Sequence, residues 1–210
     1  MIQSVSTQTL QRLPIYLHYL KSLSKTAPLN ISAKQIADAL GQSEIQVRKD
    51  LASVSNGGKP KIGYITEDLI HDLEAYLGYD CVNDAVLVGA GKLGKALLLY
   101  DGFKEYGLNI VAGFDINVNT ANTIEGGKQI LPLDKLENLC KRMNIRIGII
   151  TVPAECAQSV CDMMVSSGIE AIWSFAPTHL NVPENILVKT ENMAVSLALL
   201  SKHLSERLYD

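Results

Sequence analysis

A glycine-rich motif in a particular context constrains the fold of this chain more than any other feature. An apolar run over residues 86–88 leads directly into the pattern G-x-G-x-x-G. The glycines of this pattern are Gly89, Gly91 and Gly94. A helix-like pattern follows, and about twenty residues further on a second apolar run ends in Asp115. This order predicts a dinucleotide-binding βαβ unit, in which a strand, a glycine loop, a helix and a second strand that ends in an acid follow one another.

The three glycines have separate predicted roles. Gly89 permits a tight turn, Gly91 lets the backbone approach a pyrophosphate, and Gly94 lets helix and strand pack closely. Asp115 is expected to hold a ribose with free 2′- and 3′-hydroxyls, which favours NAD(H) over NADP(H). The predicted cofactor residues of the loop are Gly89, Ala90, Gly91, Lys92, Leu93 and Gly94. A Rossmann-like domain that binds another nucleotide, or none, is the alternative.

Strands and helices alternate after this motif, which predicts a parallel sheet with crossover helices. The predicted strands are Ala85–Val88, Asn109–Phe114, Ile145–Thr151, Ala171–Phe175 and Ile186–Lys189. The predicted crossover helices are Leu93–Tyr106, Leu133–Met143 and Ala154–Ser167. Ligands of open α/β sheets lie outside the carboxyl ends of the strands. We therefore add Thr151, Val152 and Pro153 to the predicted cofactor residues and expect the loop Phe175–Pro177 nearby.

No catalytic set accompanies the predicted nucleotide site, so we expect no enzyme. His179 is the one weak candidate for a general base, and no substrate domain follows the last strand. The four cysteines form no C-x-x-C pair and are expected to be reduced packing residues, with no metal site. The sequence has neither a long apolar run nor a signal pattern, which predicts a cytoplasmic protein without a membrane span.

The first third of the chain differs from the rest in charge. Residues 1–63 contain eight Lys or Arg and three acids, whereas residues 64–210 contain eleven Lys or Arg and nineteen acids. A basic segment of net charge +5 on an acidic body suggests an anionic partner for that segment, against the alternative of chance surface charge.

This basic segment has the pattern of a helix-turn-helix. A helix is predicted over residues 8–24, a second over 33–40 with Ser32 as its N-cap, and a third over 44–54 after a turn at Gly41. Ser43 and Gln46 are expected to form a capping box for the third helix. Its predicted inward residues are Ile45, Leu51 and Val54, with Val47 flanking. Its predicted DNA-facing residues are Ser43, Gln46, Arg48 and Lys49.

A glycine- and proline-rich segment over residues 55–66 follows and predicts a hairpin, or wing. Lys59 and Lys61 at its tip are predicted phosphate or minor-groove contacts. Thr66 is expected to cap a helix over residues 67–77 that ends at Gly78. A three-helix cap that only supports dimerisation is the alternative to DNA binding.

The last segment, Asn192–Leu208, predicts a helix with apolar residues on more than one face. Its surplus apolar surface suggests docking on a second subunit. The alternative is a helix that packs on its own domain.

Taken in order, the chain resembles the Rex family of redox-sensing transcriptional repressors along nearly its whole length. The matching segments are Gln46–Leu51, Gly63-Tyr64, Gly89–Gly94, Tyr100–Phe103, Phe114-Asp115, Thr151–Pro153, Phe175–Pro177 and Glu191-Asn192. The resemblance implies an α/β fold with an N-terminal winged helix-turn-helix domain (1–80), a Rossmann-like parallel-sheet domain (81–190) and a domain-swapped C-terminal helix (191–210). It further implies a homodimer on double-stranded operator DNA with an inverted repeat. In such proteins NADH releases the DNA and NAD⁺ permits binding, and Tyr100 matches a tyrosine near the cofactor.

The sequence departs from the family pattern at three places. Residues Ala52–Asn56 replace a segment that usually carries aromatic residues and glycine, and Ser174 stands where asparagine is common. His18 and Ala194 occupy the positions of an arginine and an aspartate that family members link to the tyrosine in the redox switch. Two other functions stay open at this stage: an NAD-dependent oxidoreductase with a helical cap, and a DNA-binding protein that uses the nucleotide only structurally.

Overall fold

The computed structural model describes residues 5–23, 28–117 and 120–209, and for residues 208 and 209 it describes the backbone alone. Contacts divide the chain into two compact units, residues 1–81 and 82–210. The last residue of the predicted first helix, Ser24, lies outside the described residues.

The described residues of the first unit form four helices and a two-stranded antiparallel sheet. Its elements are α1 (Thr7–Ser22), β1 (Asn30–Ile31), α2 (Ala33–Leu40), α3 (Glu44–Ala52), β2 (Tyr64–Ile65) and α4 (Thr66–Leu77). Its core side chains come from all four helices and from both strands, among them Leu13, Tyr16, Ile36, Val47, Leu51, Tyr64, Leu69 and Leu73. Pro14 lies inside α1, which continues through it.

Local sequence determines both ends of α2. The Ser32 side chain accepts from the Gln35 N–H, and the Gln35 side chain accepts from the Ser32 N–H, which completes a capping box. Gly41 ends the helix in the left-handed conformation with φ of 62°. The predicted helix, its N-cap and its glycine end are confirmed.

Three predictions about the neighbouring helices are wrong. Ser43 occupies the N-cap position of α3 but makes no side-chain cap hydrogen bond, and the Gln46 side chain bonds to Asp50 rather than back to Ser43. Ile45 is 75 % exposed, whereas Val47 is fully buried. Thr66 is the first residue of α4 rather than its cap, and its hydroxyl donates to the Pro28 carbonyl at 2.5 Å.

The second unit is built on a seven-stranded sheet. Its strands are β3 (Asn83–Val88), β4 (Leu108–Asp115), β5 (Thr123–Glu125), β6 (Lys128–Pro132), β7 (Ile147–Ile150), β8 (Ala171–Ser174) and β9 (Leu187–Thr190). Their order is β5-β6-β4-β3-β7-β8-β9, and only the β5–β6 pair is antiparallel. Without β5 this is the doubly wound strand order of dinucleotide-binding folds, in which the order of the strands reverses between β3 and β7. The predicted parallel sheet is confirmed, and the five predicted strands end within two residues of the observed ones.

The helices of this unit are α5 (Lys92–Leu99), α6 (Leu136–Met143), α7 (Ala154–Ser166) and α8 (Met193–Tyr209). The predicted helix over 93–106 is two elements, because it breaks at Tyr100 and resumes as a 3₁₀ segment over Asp101–Tyr106. The predicted helix over 133–143 likewise begins with a 3₁₀ turn over Leu133–Lys135. The β5–β6 hairpin was not predicted.

The C-terminal helix α8 leaves its apolar side chains in solvent. From Met193 to Arg207, the part whose side chains are described, no residue is buried. The exposed large apolar residues are Met193, Val195, Leu197, Leu199, Leu200 and Leu204, at 54–67 % exposure. The predicted surplus of apolar surface on this helix is therefore present.

Within the described ranges, no helix has the length and apolar character that crossing a bilayer requires. The same residues contain no cluster of His, Cys, Asp and Glu suited to hold a metal ion.

Candidate nucleotide site and nucleic-acid interface

The glycine loop between β3 and α5 is built as the motif predicts. Gly89 has φ of 102°, and a Cβ there would lie 2.8 Å from the carbonyl carbon of Thr151. A Cβ on Gly94 would lie 2.0 Å from the carbonyl oxygen of Gly89. A Cβ on Gly91 would meet nothing within 4 Å. Gly89 and Gly94 are thus needed for the turn and for close helix–strand contact, whereas the space at Gly91 is open.

Thr151 ties this loop to the neighbouring strand. Its hydroxyl donates to the Gly89 carbonyl at 2.7 Å and lies 3.1 Å from the Val88 carbonyl. Because Thr151 follows β7 and Val88 ends β3, these hydroxyl contacts join the two strands between which the strand order reverses. This is where ligands of open α/β sheets bind.

The acid that ends β4 faces the same loop. One carboxylate oxygen of Asp115 accepts from the Ala90 N–H at 2.8 Å, and the other accepts from the Asn117 N–H at 2.7 Å. The carboxylate is therefore oriented at the edge of the loop, where a ribose on the glycine loop would lie.

A cavity of about 310 Å³ opens between the loop, the end of β4 and the first turns of α7. Its lining residues are Val88, Gly89, Gly91, Asp115, Ile116, Leu133, Thr151, Val152, Pro153, Cys156, Ser159, Val160 and Met163. Six of the predicted cofactor residues meet here: Gly89, Gly91, Asp115, Thr151, Val152 and Pro153. The lining is mainly apolar with one carboxylate, as expected for a site that encloses a flat aromatic base.

Sequence reasoning missed the α7 side of this cavity. Cys156, Ser159, Val160 and Met163 follow the spacing of one helix face, directly after the predicted Pro153. The spacing predicts that these residues share a helix face, but it does not predict that the face lies beside the glycine loop.

The other five predicted cofactor residues do not line the cavity, and two of them, Ala90 and Gly94, are buried. Lys92 and Leu93 are exposed at the start of α5. The first backbone N–H groups of a helix have no intrahelical acceptor and are suited to bind an anion. Tyr100 lies past the far end of α5, 54 % exposed, with its ring against Gly102 and edge-on to Phe103 at 4.9 Å. The assignment of Tyr100 to the cofactor stays a prediction.

In the first unit, α3 has one buried apolar face and exposed polar residues on its other side. Val47 and Leu51 are fully buried, whereas Arg48 and Lys49 are exposed. Arg48 forms an ion pair with Glu44 one turn earlier, which the two exposed side chains can exchange for another partner. Ile45 lies on the exposed side as well.

A buried carboxylate joins α3 to α1. Asp50 is 2 % exposed and accepts from the Arg12 guanidinium at 2.6 and 2.9 Å, from the Tyr16 hydroxyl at 2.9 Å and from the Thr9 hydroxyl at 3.2 Å. Burial raises the pKa of Asp50, but hydrogen bonds from Arg12, Gln46 and Tyr16 outweigh burial and hold that pKa below its usual value. Burial, followed by the bond to Asp50, raises the pKa of Tyr16 to about 12.

The predicted wing is a tight turn over residues 59–63. The backbones of Lys59 and Gly63 exchange hydrogen bonds of 2.8 and 2.9 Å, and Lys61 at the tip has φ of 66°. Lys59 and Lys61 are both exposed.

A groove of about 590 Å³ lies between this turn and α3. Its charged lining residues are Lys34, Glu44, Arg48, Lys59 and Lys61. Four cations around one groove favour a polyanion, and the structure brings Arg48 together with Lys59 and Lys61. Ser43, Gln46 and Lys49 lie outside this groove, on other parts of α3 and its N-terminus.

Two family descriptions match separate parts of the chain. Residues 4–52 match "Putative DNA-binding protein N-terminus", and residues 82–178 match "CoA binding domain".

Curated relatives match over nearly the whole length. "Redox-sensing transcriptional repressor Rex" of Desulforamulus reducens is 40 % identical over 197 residues, 94 % of each chain. The protein of the same description from Porphyromonas gingivalis is 39 % identical over 93 % of this chain and 90 % of that one.

Solved structures agree with these relatives. The crystal structure of RSP in complex with β-NAD⁺ and operator DNA superposes with a TM-score of 0.92 at 32 % identity, over 99 % of this chain and 95 % of that chain. RSP in complex with β-NADH gives a TM-score of 0.86 at 32 % identity, over 98 % and 96 %. RSP is described as a Rex-family repressor.

Proposed function

The chain belongs to the Rex family of redox-sensing transcriptional repressors, and from this premise we propose that it occupies operator DNA according to the NADH/NAD⁺ ratio. NAD⁺, or an empty site, permits DNA binding, and NADH releases the DNA. The observation that carries the proposal is the pairing of an NAD-type glycine loop with a basic helix-turn-helix in one chain. The nucleotide acts as a signal and is not turned over.

The cavity beside the glycine loop is the proposed nucleotide site. The N–H groups at the start of α5 and the open space at Gly91 suit a pyrophosphate. Asp115 suits the two free hydroxyls of the adenosine ribose. Its charge would repel the 2′-phosphate of NADP(H) and equally the 3′-phosphate of coenzyme A, so we assign the site to NAD(H).

The exposed face of α3 and the wing form the proposed DNA interface. Arg48 is suited to the O6 and N7 acceptors of guanine, whereas Lys49, Lys59 and Lys61 are suited to phosphates. Ser43 and Gln46 complete the set at the start of α3.

A homodimer on an inverted-repeat operator follows from the same family membership. Two recognition helices related by a two-fold axis require a two-fold site. We assign residues 1–80 to DNA binding, 81–190 to nucleotide binding and 191–210 to dimerisation through an exchanged α8. The proposed location is the cytoplasm, where bacterial operator DNA and the NAD(H) pool meet.

The switch requires that NADH and NAD⁺ bind the two arrangements of the dimer with different free energies. Hydride addition removes the positive charge of the nicotinamide and puckers its ring, and Tyr100 is the proposed sensor of that change. The chain has His18 and Ala194 where family members carry a charged pair. We therefore expect the preference for NADH over NAD⁺ as releasing ligand to be weaker than in relatives that keep the pair.

One binding experiment tests this function. Duplexes bound from a randomised library are sequenced, and binding of the enriched duplex is measured by anisotropy across NADH/NAD⁺ ratios at fixed salt, since salt alone changes such affinities strongly. We expect the bound fraction to fall as NADH rises. Equal binding with NADH, with NAD⁺ and with neither would identify a structural nucleotide, and steady consumption of NADH with a small carbonyl compound would identify an oxidoreductase.

A further inference from the structure

The side-chain amide of Gln46 is held in one orientation. Its Nε2 donates a hydrogen bond of 2.9 Å to Oδ1 of Asp50, one turn later on α3. A carboxylate can only accept hydrogen bonds, so the amide nitrogen, and not the amide oxygen, must face Asp50. The lowered pKa of Asp50, with Arg12 beside it, keeps the group ionised at neutral pH.

The carboxylate of Asp50 is itself held in one orientation. Two guanidinium nitrogens of Arg12 and the hydroxyls of Tyr16 and Thr9 already bond its two oxygens from α1. The side chain is 2 % exposed. The orientation of the Gln46 amide is thus set from the core of the first unit.

The amide oxygen of Gln46 is left open to solvent. No described residue donates a hydrogen bond to it in the structure. No buried side-chain polar atom of the described residues lacks a partner, so this oxygen is not buried. Gln46 precedes Lys49 on the exposed side of α3, the side assigned above to the major groove.

Resting on the proposed function, we propose that Asp50 fixes the Gln46 amide so that this residue recognises adenine and rejects guanine. Adenine presents an N6 donor and an N7 acceptor in the major groove, whereas guanine presents two acceptors, N7 and O6. The outward oxygen of Gln46 accepts from N6, and its remaining N–H donates to N7. Against guanine, the same oxygen meets O6, and the two acceptors repel.

An unrestrained glutamine could turn its amide over and donate to guanine. The carboxylate of Asp50 prevents that, because the turned amide would place two oxygens against each other. Asp50 is therefore a positioning residue for sequence recognition and does not itself touch DNA.

The test is selection from a duplex library with randomised inverted-repeat half-sites, carried out with the full-length protein and its variants. Wild type should select adenine over guanine at one half-site position by about 5- to 150-fold, the discrimination that one bidentate pair supplies. Gln46→Met should bring this ratio close to 1 at that position and leave the other positions unchanged.

Asp50→Asn is the decisive variant, since asparagine can donate to the Gln46 oxygen and let the amide turn over. We expect guanine to be admitted at that position alone. Asp38→Asn, on the exposed surface of α2, makes the same charge change away from the amide and should keep the wild-type profile.

Two results would overturn the proposal. One is an unchanged profile for Gln46→Met, a variant of a half-buried residue whose folding is checked by circular dichroism. The other is an Asp50→Asn profile weakened equally at every position, as a purely structural role would give. Failure of the proposed function would look different: wild type would enrich no sequence at all, or its binding to the enriched duplex would not change with the NADH/NAD⁺ ratio.

Discussion

The carboxylate of Asp115 accepts a hydrogen bond of 2.8 Å from the backbone N–H of Ala90, so the acid that ends β4 is tied to the glycine loop that follows β3. The two halves of the sequence fingerprint are thus joined directly. The bond leaves the acid at the cavity edge, where it orders the loop and is placed for the proposed contact with the ribose.

Asp115→Ala is expected to weaken NADH binding by about 10- to 150-fold, the worth of a hydrogen bond to a charged group. Energy transfer from Trp173, the only tryptophan of the chain, to bound NADH measures this. Asp68→Ala, exposed on α4, is the control and should bind as wild type. Unchanged affinity in Asp115→Ala would contradict the ribose assignment.

Gly91→Ala and Gly94→Ala should fail in different ways. A methyl on Gly91 meets no protein atom within 4 Å, so the fold should stay intact while the pyrophosphate is blocked. A methyl on Gly94 would lie 2.0 Å from the Gly89 oxygen and should destabilise the second unit by about 1–3 kcal/mol or more. Urea unfolding and NADH titration of both variants separate the two effects. Equal stability of the variants would refute the difference in packing.

The first unit should lose stability in acid because of Asp50. Its folded-state pKa is depressed, so the stabilisation is present above the unfolded pKa of about 3.9 and is lost as pH falls through the lower, folded value. Circular dichroism of urea unfolding between neutral pH and about pH 2 measures this. Asp50→Asn should flatten that acid limb, and an unchanged limb would exclude Asp50 as its source.

Removing Arg12 tests the same network at neutral pH. Arg12→Met leaves Asp50 buried without its cation and should destabilise the fold by about 3 kcal/mol. Lys21 lies on the same helix as Arg12 and forms a more exposed ion pair with Glu74 of α4. Lys21→Met should therefore cost less than about 1 kcal/mol of stability. Similar losses in both variants would argue against the buried network as a main contribution to stability.

The two kinds of proposed DNA contact are distinguishable by salt. Arg48→Ala should cost about 1–3 kcal/mol of operator binding and relax base preference at one position. Lys61→Ala should weaken binding to all duplexes alike and reduce the salt dependence by about one phosphate contact. Anisotropy titrations over a range of salt concentrations measure both. If both variants bound DNA as wild type does, the assignment of α3 and the wing to the DNA interface would be wrong.

The sequence predicted well those features that depend on local chemistry. The glycine loop, the acid after β4 and the ends of α2 all follow from residues adjacent in the chain. The cavity wall on α7 was missed, because its residue types are ordinary for a buried helix face and only the fold brings them to the loop.

The inward face of α3 was predicted incorrectly for a definite reason. Pattern analysis assumes that charged residues point outward, and here a charged residue, Asp50, is buried beside Val47 and Leu51. The nine-residue helix has too few apolar residues to correct that assumption, so Ile45 was assigned to the core. Only the partners of Asp50 on α1, distant in sequence, reveal its position.

The β5–β6 hairpin was overlooked although its turn carried a signal. Gly126 and Gly127 both have positive φ, as a two-residue hairpin turn requires. The strands on either side have three and five residues and are too short for a periodicity to stand out.

The solvent-facing apolar side chains of α8 would make the proposed repressor sensitive to its own abundance. If a second copy covers them, each dimer formed removes that surface from water, and folded stability rises with protein concentration by mass action. A cell that holds few copies would then have less dimer and a lower operator occupancy at the same NADH/NAD⁺ ratio. The expression level would thus shift the redox threshold at which the controlled genes respond.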